Sequence, residues 1–143
     1  MKSYNEQNSG KYFQERPTVV SDAFGVTGTT TNAGVATTAV LGQVTIPAGA
    51  YVTKVQLMAT VAVGTQDLDV GDGDDVARYM EGIVSMTQYD LWTAPNAIEA
   101  TVAAGQVAGR YYADADTIDV TSDITASADV SVGSCILSVW YYI

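Results

Sequence analysis

The run Tyr51-Val-Thr-Lys-Val-Gln-Leu-Met-Ala-Thr-Val-Ala-Val63 decides the fold class. Its odd positions, Tyr51, Val55, Leu57, Ala59, Val61 and Val63, are mostly apolar, while its even positions include Lys54, Gln56 and Thr60. Alternation with a period of two marks a strand with one buried face. Just before it, Val40-Leu-Gly-Gln-Val-Thr-Ile46 puts Val40, Val44 and Ile46 on one face, and Pro47-Ala-Gly-Ala50 is a turn. Just after it, Leu68 and Val70 point one way and Asp67 and Asp69 the other.

The pattern continues to the C-terminus. Arg78 to Met86 reads as a strand, Tyr89 to Thr101 as a loop anchored by Trp92, and residues 96–104 as a short helix. Arg110-Tyr-Tyr112 and Thr117-Ile-Asp-Val-Thr121 read as strands, with Ile118 and Val120 inward. The last strand, Val130 to Ile143, changes register at Gly133, which predicts a bulge there; beyond it Cys135, Leu137, Val139, Tyr141 and Ile143 share a face. Seven or eight short strands between turn signals predict an all-β domain, a β-sandwich or barrel. At 143 residues it is one domain with room for a core. The division is an extended N-terminal arm and lead-in over residues 1–34 and a β-sandwich over residues 35–143. Ending inside a strand, the chain is expected to pair its C-terminus within a sheet.

Composition narrows the function. Charged residues are 15% of the chain and hydrophobic ones 48%, a balance suited to pleated, half-buried surfaces and to some surface covered by partners. The net charge of −10 argues against a nucleic-acid reader, which would carry a basic face. The charge is also divided. The first sixteen residues hold three bases (Lys2, Lys11, Arg16) against two acids, whereas the remainder holds three bases against fourteen acids. The polar arm, with Tyr4, Tyr12 and Phe13 as anchors, is expected to be disordered alone in water and to gain order from contacts with other chains. Its lack of an apolar signal core argues against Sec export, and no apolar run reaches the length of a membrane span.

Catalytic chemistry has little to work with. There is no histidine, which removes histidine acid–base chemistry, haem ligation and the usual zinc sites. The single cysteine, Cys135, sits in an apolar run as a small buried hydrophobe and has no histidine to activate it. Asp114, Asp116 and Asp119 add carboxylates of the kind glycoside hydrolysis needs, but no tuned partner accompanies them. Gly71-Asp-Gly73 and Gly105-Gln-Val-Ala-Gly109 lack the lysine and the strand-to-helix context of phosphate loops.

The densest charge is Asp67-Leu-Asp-Val-Gly-Asp-Gly-Asp-Asp75, with five carboxylates in nine positions. Such a group repels itself unless cations or hydrogen-bond donors offset it. Asp67, Asp69, Asp72, Asp74 and Asp75 are candidate calcium ligands, since oxygen donors around glycines suit that ion. EF-hand spacing fails, because counting from Asp67 position five is Gly71 and position twelve is Arg78. The competing reading is a strand ending in a glycine turn. There Asp72 and Asp74 would cap backbone N–H groups and Asp75 or Asp69 would pair with Arg78. Along the last strand Trp140, Tyr141 and Tyr142 alternate faces, as do Tyr111 and Tyr112, which fits either a face that presents aromatics, as interfaces do, or ordinary burial on both sides of a sandwich.

Three segments together carry a resemblance: Val44-Thr-Ile-Pro-Ala-Gly-Ala-Tyr-Val-Thr-Lys-Val-Gln-Leu57, Leu68-Asp-Val-Gly-Asp-Gly-Asp-Asp-Val-Ala-Arg-Tyr79, and Ala115-Asp-Thr-Ile-Asp-Val-Thr121. The combination resembles small structural proteins of tailed-bacteriophage virions, of the capsid decoration (cement) or head-fibre kind. The resemblance implies a β-sandwich or jelly-roll body, symmetric placement with a trimer favoured, and an extended arm on the shell. It implies a non-enzymatic protein made in the bacterial cytoplasm and carried on the capsid surface. The major capsid protein is then the partner, with Tyr4, Lys11, Tyr12, Phe13 and Arg16 as contact residues and no nucleic acid, membrane or cofactor beyond calcium. The other expectations are a tail or head-to-tail subunit, and a calcium-dependent carbohydrate-binding sandwich with Trp92 as a stacking platform.

Overall fold

The computed structural model describes residues 16–26, 37–64, 67–83, 86–94, 109–124 and 133–143. These form nine strands: β1 (Thr18–Val26), β2 (Thr37–Ile46), β3 (Ala50–Val61), β4 (Asp67–Asp72), β5 (Met80–Ile83), β6 (Leu91–Ala94), β7 (Arg110–Tyr112), β8 (Asp116–Ile124) and β9 (Gly133–Tyr142). Sheet A runs β1-β9-β3-β6 with β7 also on β3, and sheet B runs β2-β8-β4-β5. All pairings are antiparallel, and they nest. β1 pairs β9, β2 pairs β8, β3 pairs β6 and β7, and β4 pairs β5 at the centre. A long hairpin whose successive pairs fall alternately on two sheets is a jelly roll. The expected all-β sandwich is therefore what the chain forms.

The core is the alternate residues of both inner faces. Sheet A supplies Val26, Val52, Val55, Leu57, Leu137 and Val139, and sheet B supplies Ile46, Leu68, Val70, Met80, Ile118 and Val120, all at most 1% exposed. Each such aliphatic side chain contributes about 1.5–3 kcal/mol by leaving water. As the sequence predicts, Leu68, Val70, Ile118 and Val120 point inward, and Cys135, Leu137, Val139 and Tyr141 share the buried face of β9. Ile143, read as continuing that face, is 85% exposed, because the strand ends at Tyr142.

Bulges account for most differences from strict alternation. The β2–β8 register shifts between Val40 and Gly42, so Val40 turns outward while Val44 and Ile46 remain inside. β3 shifts twice against β9, between Val52 and Lys54 and between Ala59 and Val61. Each shift swaps parity, which buries Ala50 and Val52 and exposes Tyr51 and Val61. The bulge expected at Gly133 rests on Val130 and Val132, outside the described residues; from Gly133 onward β9 pairs β1 without a shift. The strand read from Arg78 to Met86 is shorter: Met80–Ile83 pairs as β5, and Met86 makes a single bridge to Val63.

Two segments read as irregular are strands. Thr18–Val26, placed with the lead-in, pairs residue for residue with β9 and belongs to the sandwich. Leu91–Ala94, placed in a loop, pairs with Val55–Met58 of β3. Four residues are too few to display a period. The helix read over 96–104 and the residues Val130 and Val132 lie outside the described residues.

The sheets meet edge to edge at β1 and β2. The carboxylate of Asp22 accepts the backbone N–H of Gln43 at 2.9 Å, occupying an edge donor that would otherwise invite another strand. Phe24 packs across Gly42 so closely that a Cβ on that glycine would fall within the ring.

Candidate functional site

The centre of the nested hairpin is the acidic corner. β4 ends at Asp72, the chain turns through residues 73–79, and β5 begins at Met80. Asp72 has the parity of Leu68 and Val70, so its side chain enters the interior and is 0% exposed. A buried carboxylate needs partners on both oxygens. Oδ1 accepts the backbone N–H groups of Asp74 at 3.1 Å and Asp75 at 3.0 Å. Oδ2 accepts Arg78 Nε at 2.6 Å and the Tyr112 hydroxyl at 2.8 Å, and Arg110 Nε lies 3.4 Å away.

The hydroxyls of Tyr79 and Tyr112 are 2.6 Å apart. Tyr112 has one proton and gives it to Asp72, so Tyr79 must donate to Tyr112. Proton donation therefore runs from Tyr79 to Tyr112 to Asp72. Burial pushes the Asp72 carboxyl up, but the hydrogen bond from Tyr112, that of Arg78 and its charge, and the Asp75 N–H outweigh it and hold the group below the ordinary aspartate value. Burial, partly offset by its bond to Tyr112, pushes Tyr79 to about 12. Burial and the Tyr79 bond push Tyr112 further up. At neutral pH the cluster is one carboxylate, two guanidiniums and two neutral phenols.

This corrects the partner assigned to Arg78, which is neither Asp75 nor Asp69. Asp69 lies on the opposite face and accepts the N–H of Gly82 at 2.8 Å, while Asp75 accepts that of Ala77 at 3.0 Å. Asp74 is exposed, 3.5 Å from Arg110 Nη2. Asp67 heads β4 in register with Asp123. Among the described residues no three acidic side chains converge as a metal set. The parity of Leu68 and Val70, carried one step further, is the signal in the sequence that singles out Asp72. Nothing local announces Arg110 and Tyr112, which arrive from sheet A.

Asp116 and Asp119, weighed as hydrolytic acids, are tied to their own surroundings. Asp116 accepts the Thr117 N–H at 2.8 Å, and Asp119 accepts Gln43 Nε2 at 2.7 Å. Asp74, Asp114 and Asp116 share an open cleft of about 500 Å³ with Arg110 and Tyr111. Trp92 has the parity of Leu57 and packs on the core, so it is not an exposed stacking platform. Burial pushes the Cys135 thiol up to about 11, which keeps it protonated and unreactive. Of the arm contacts, Tyr4, Lys11, Tyr12 and Phe13 lie outside the described residues, and Arg16 is exposed where they begin.

Loss of a single hydroxyl tests the direction of the tyrosine relay. Tyr112→Phe removes the donor to Asp72 and the acceptor of Tyr79, and is expected to cost about 1–3 kcal/mol. Tyr79→Phe leaves Tyr112 donating to Asp72 and should cost less, about 1 kcal/mol. Urea unfolding of both variants measures the difference, and equal costs would contradict the assigned direction.

The two sheets differ in charge. The strands of sheet A contain one acid, Asp22, whereas those of sheet B contain seven: Asp67, Asp69, Asp72, Glu81, Asp116, Asp119 and Asp123. Tyr51, Leu91 and Tyr111 on the outer face of sheet A are 46%, 53% and 61% exposed. The body's three bases are engaged within it: Arg78 and Arg110 at Asp72, and Lys54 over the Trp140 ring at 4.4 Å.

Comparison with known proteins gives likenesses in structure. No family model matches the chain, and no curated protein matches it at a significant level. The chain is similar to one in the cyanophage Pam1 capsid asymmetric unit, at 23% identity and TM-score 0.48, covering 90% of this chain and 87% of that one. It is also similar to a chain of the acid-stable capsid of Helicobacter pylori bacteriophage KHP30, at 17% identity and TM-score 0.44, covering 89% and 93%. A chain of the Ralstonia phage GP4 capsid gives 18% identity and TM-score 0.43, covering 88% and 84%.

Proposed function

We propose that this chain is a non-enzymatic structural protein of a phage virion, which decorates the capsid surface and stabilises the major capsid shell. The observation that carries this reading is the division between arm and body. The first sixteen residues hold three bases and three aromatic anchors, while the remainder holds three bases against fourteen acids and binds those three within itself. A body of that kind repels other acidic surfaces, so attachment to the shell falls to the arm. The three segments that resemble decoration proteins support the same reading, and the jelly roll is the body that resemblance implies. Repetition around a symmetric shell multiplies modest contacts into a large total.

Deletion of residues 1–16 tests it. The truncated protein should no longer co-sediment with shells of the major capsid protein, while its melting transition stays close to that of the full chain. Shell binding that survives the deletion would sink the arm hypothesis.

A further inference from the structure

The outer face of sheet A has no carboxylate among the described residues of its strands, although the protein has sixteen acids. The lone acid in those strands, Asp22, has the inward parity of Phe24 and Val26 and holds the N–H of Gln43. Across the outer face the register sets Tyr111, Tyr51 and Tyr142 in one row and Leu91, Met58 and Ile136 in another. Between the rows and beyond the second, polar side chains pair with one another. Ser21 bonds Ser138 at 2.9 Å, Gln56 bonds Thr93 at 3.3 Å, and Thr60 bonds Ser134 at 2.5 Å. Hydroxyls and amides already bonded within the protein lose little when water leaves. Lys54 is the single charge, and the Trp140 ring beneath it replaces part of its hydration.

From this we infer that the outer face of sheet A is where a second copy of this chain packs, sheet A against sheet A. The occupant follows from charge. Two bodies of this sign repel across any approach that brings carboxylates together, and sheet B and the acidic corner do so. Pairing through sheet A turns both acidic faces away from each other. The face is also large enough. Four strands about 4.8 Å apart and about eight residues long cover roughly 500 Å² in plan, and side chains raise the accessible area toward the ~800 Å² per partner of a standard interface. The aromatic side chains of Tyr111, Tyr51 and Tyr142, in a row along one end of it, are the kind that anchor such contacts. This pairing needs no shell and goes beyond the attachment role of the arm.

The test is sedimentation equilibrium of the purified full-length chain, at up to about 100 μM, where modest interfaces are populated. The wild type should associate, and more strongly as salt screens the repulsion between bodies. Leu91→Glu and Tyr111→Glu, each at a residue more than half exposed, should raise the dissociation constant at least about tenfold by burying a carboxylate. Thr45→Glu, at an exposed site on sheet B, should leave association unchanged, and circular dichroism should show all three folded. A monomeric wild type would overturn the inference. So would association that weakens with salt, that ignores Leu91→Glu and Tyr111→Glu, or that Thr45→Glu disrupts equally.

Discussion

Asp72→Ala is expected to lower stability by about 3–5 kcal/mol at pH 7, the cost of leaving buried charge without its partner. In a chain of this size that is a fall in melting temperature of about 10 °C or more. Arg78 and Arg110 would lose the carboxylate they share, Tyr112 would lose its acceptor, and the N–H groups of Asp74 and Asp75 would lose the oxygen that organises the turn. The same variant fixes the pH dependence. The folded Asp72 carboxyl titrates below its unfolded value, which is about 3.9. Its stabilisation is therefore complete above that value and disappears as pH falls through the lower, folded one. The gap between wild type and Asp72→Ala should stay constant from neutral pH to about 4 and close below it. Urea titrations at stepped pH measure this, and a gap that persisted into strong acid would show that Asp72 acts through its shape alone. A double-mutant cycle with Arg78→Ala should give a coupling on the order of 1–3 kcal/mol.

The same residue shows how far the sequence could be read. One more step of the Leu68 and Val70 alternation puts Asp72 inside, but the sequence reading ends the strand in a glycine turn there and groups its carboxylate with four neighbours by proximity along the chain. Proximity along a strand is misleading because successive side chains part to opposite faces. Asp69 accordingly reaches Gly82 on one side while Asp72 reaches Tyr112 on the other. The sandwich was legible because inward aliphatic positions recur over long strands such as β3 and β9. Three things hid the rest. Bulges in β2 and β3 invert parity, and in β3 no glycine or proline marks them. The strand Leu91–Ala94 is too short for a period. The partners in the ion cluster are separated by 38 and 40 residues, and no local pattern encodes such a pairing.

The nesting of the hairpins explains why those distant partners meet. β4 and β5 form the innermost pair and lie in sheet B, while β7 is paired with β3 in sheet A. Wherever the turn after β4 ends, it must abut the other layer. A buried carboxylate there, with guanidiniums from its own turn and from β7, fastens the tip of one sheet to the edge of the other. Hydrophobic attraction between the layers has no preferred direction, whereas an ion cluster with hydrogen bonds at defined angles does. The corner thus sets how the two sheets are aligned at that end.

Gly71→Ala is the second large effect, and it tests the corner through its backbone. Asp72 N–H donates to Asp75 C=O at 2.9 Å, drawing the turn back over the strand end. That closure brings the Asp75 carbonyl and the Val76 peptide to the space where a side chain on residue 71 would stand. The obstructing atoms are backbone, so they cannot rotate aside, and alanine must force the turn open. The expected cost is about 2–3 kcal/mol, at the upper end for inserting one methyl group, with loss of the Asp72 interactions that depend on the turn. Gly73→Ala is the contrast. A Cβ there meets only the carboxylate tip of Asp116 at 3.0 Å, on a side chain that can shift, so the cost should stay within about 0.5 kcal/mol, as for ordinary surface changes. If the turn is what holds Asp72 in place, Gly71→Ala should also flatten the acid-dependent loss of stability, whereas Gly73→Ala should retain it in full. Two glycines on either side of one aspartate would then differ in cost because backbone fills the space beside one and a movable side chain the space beside the other.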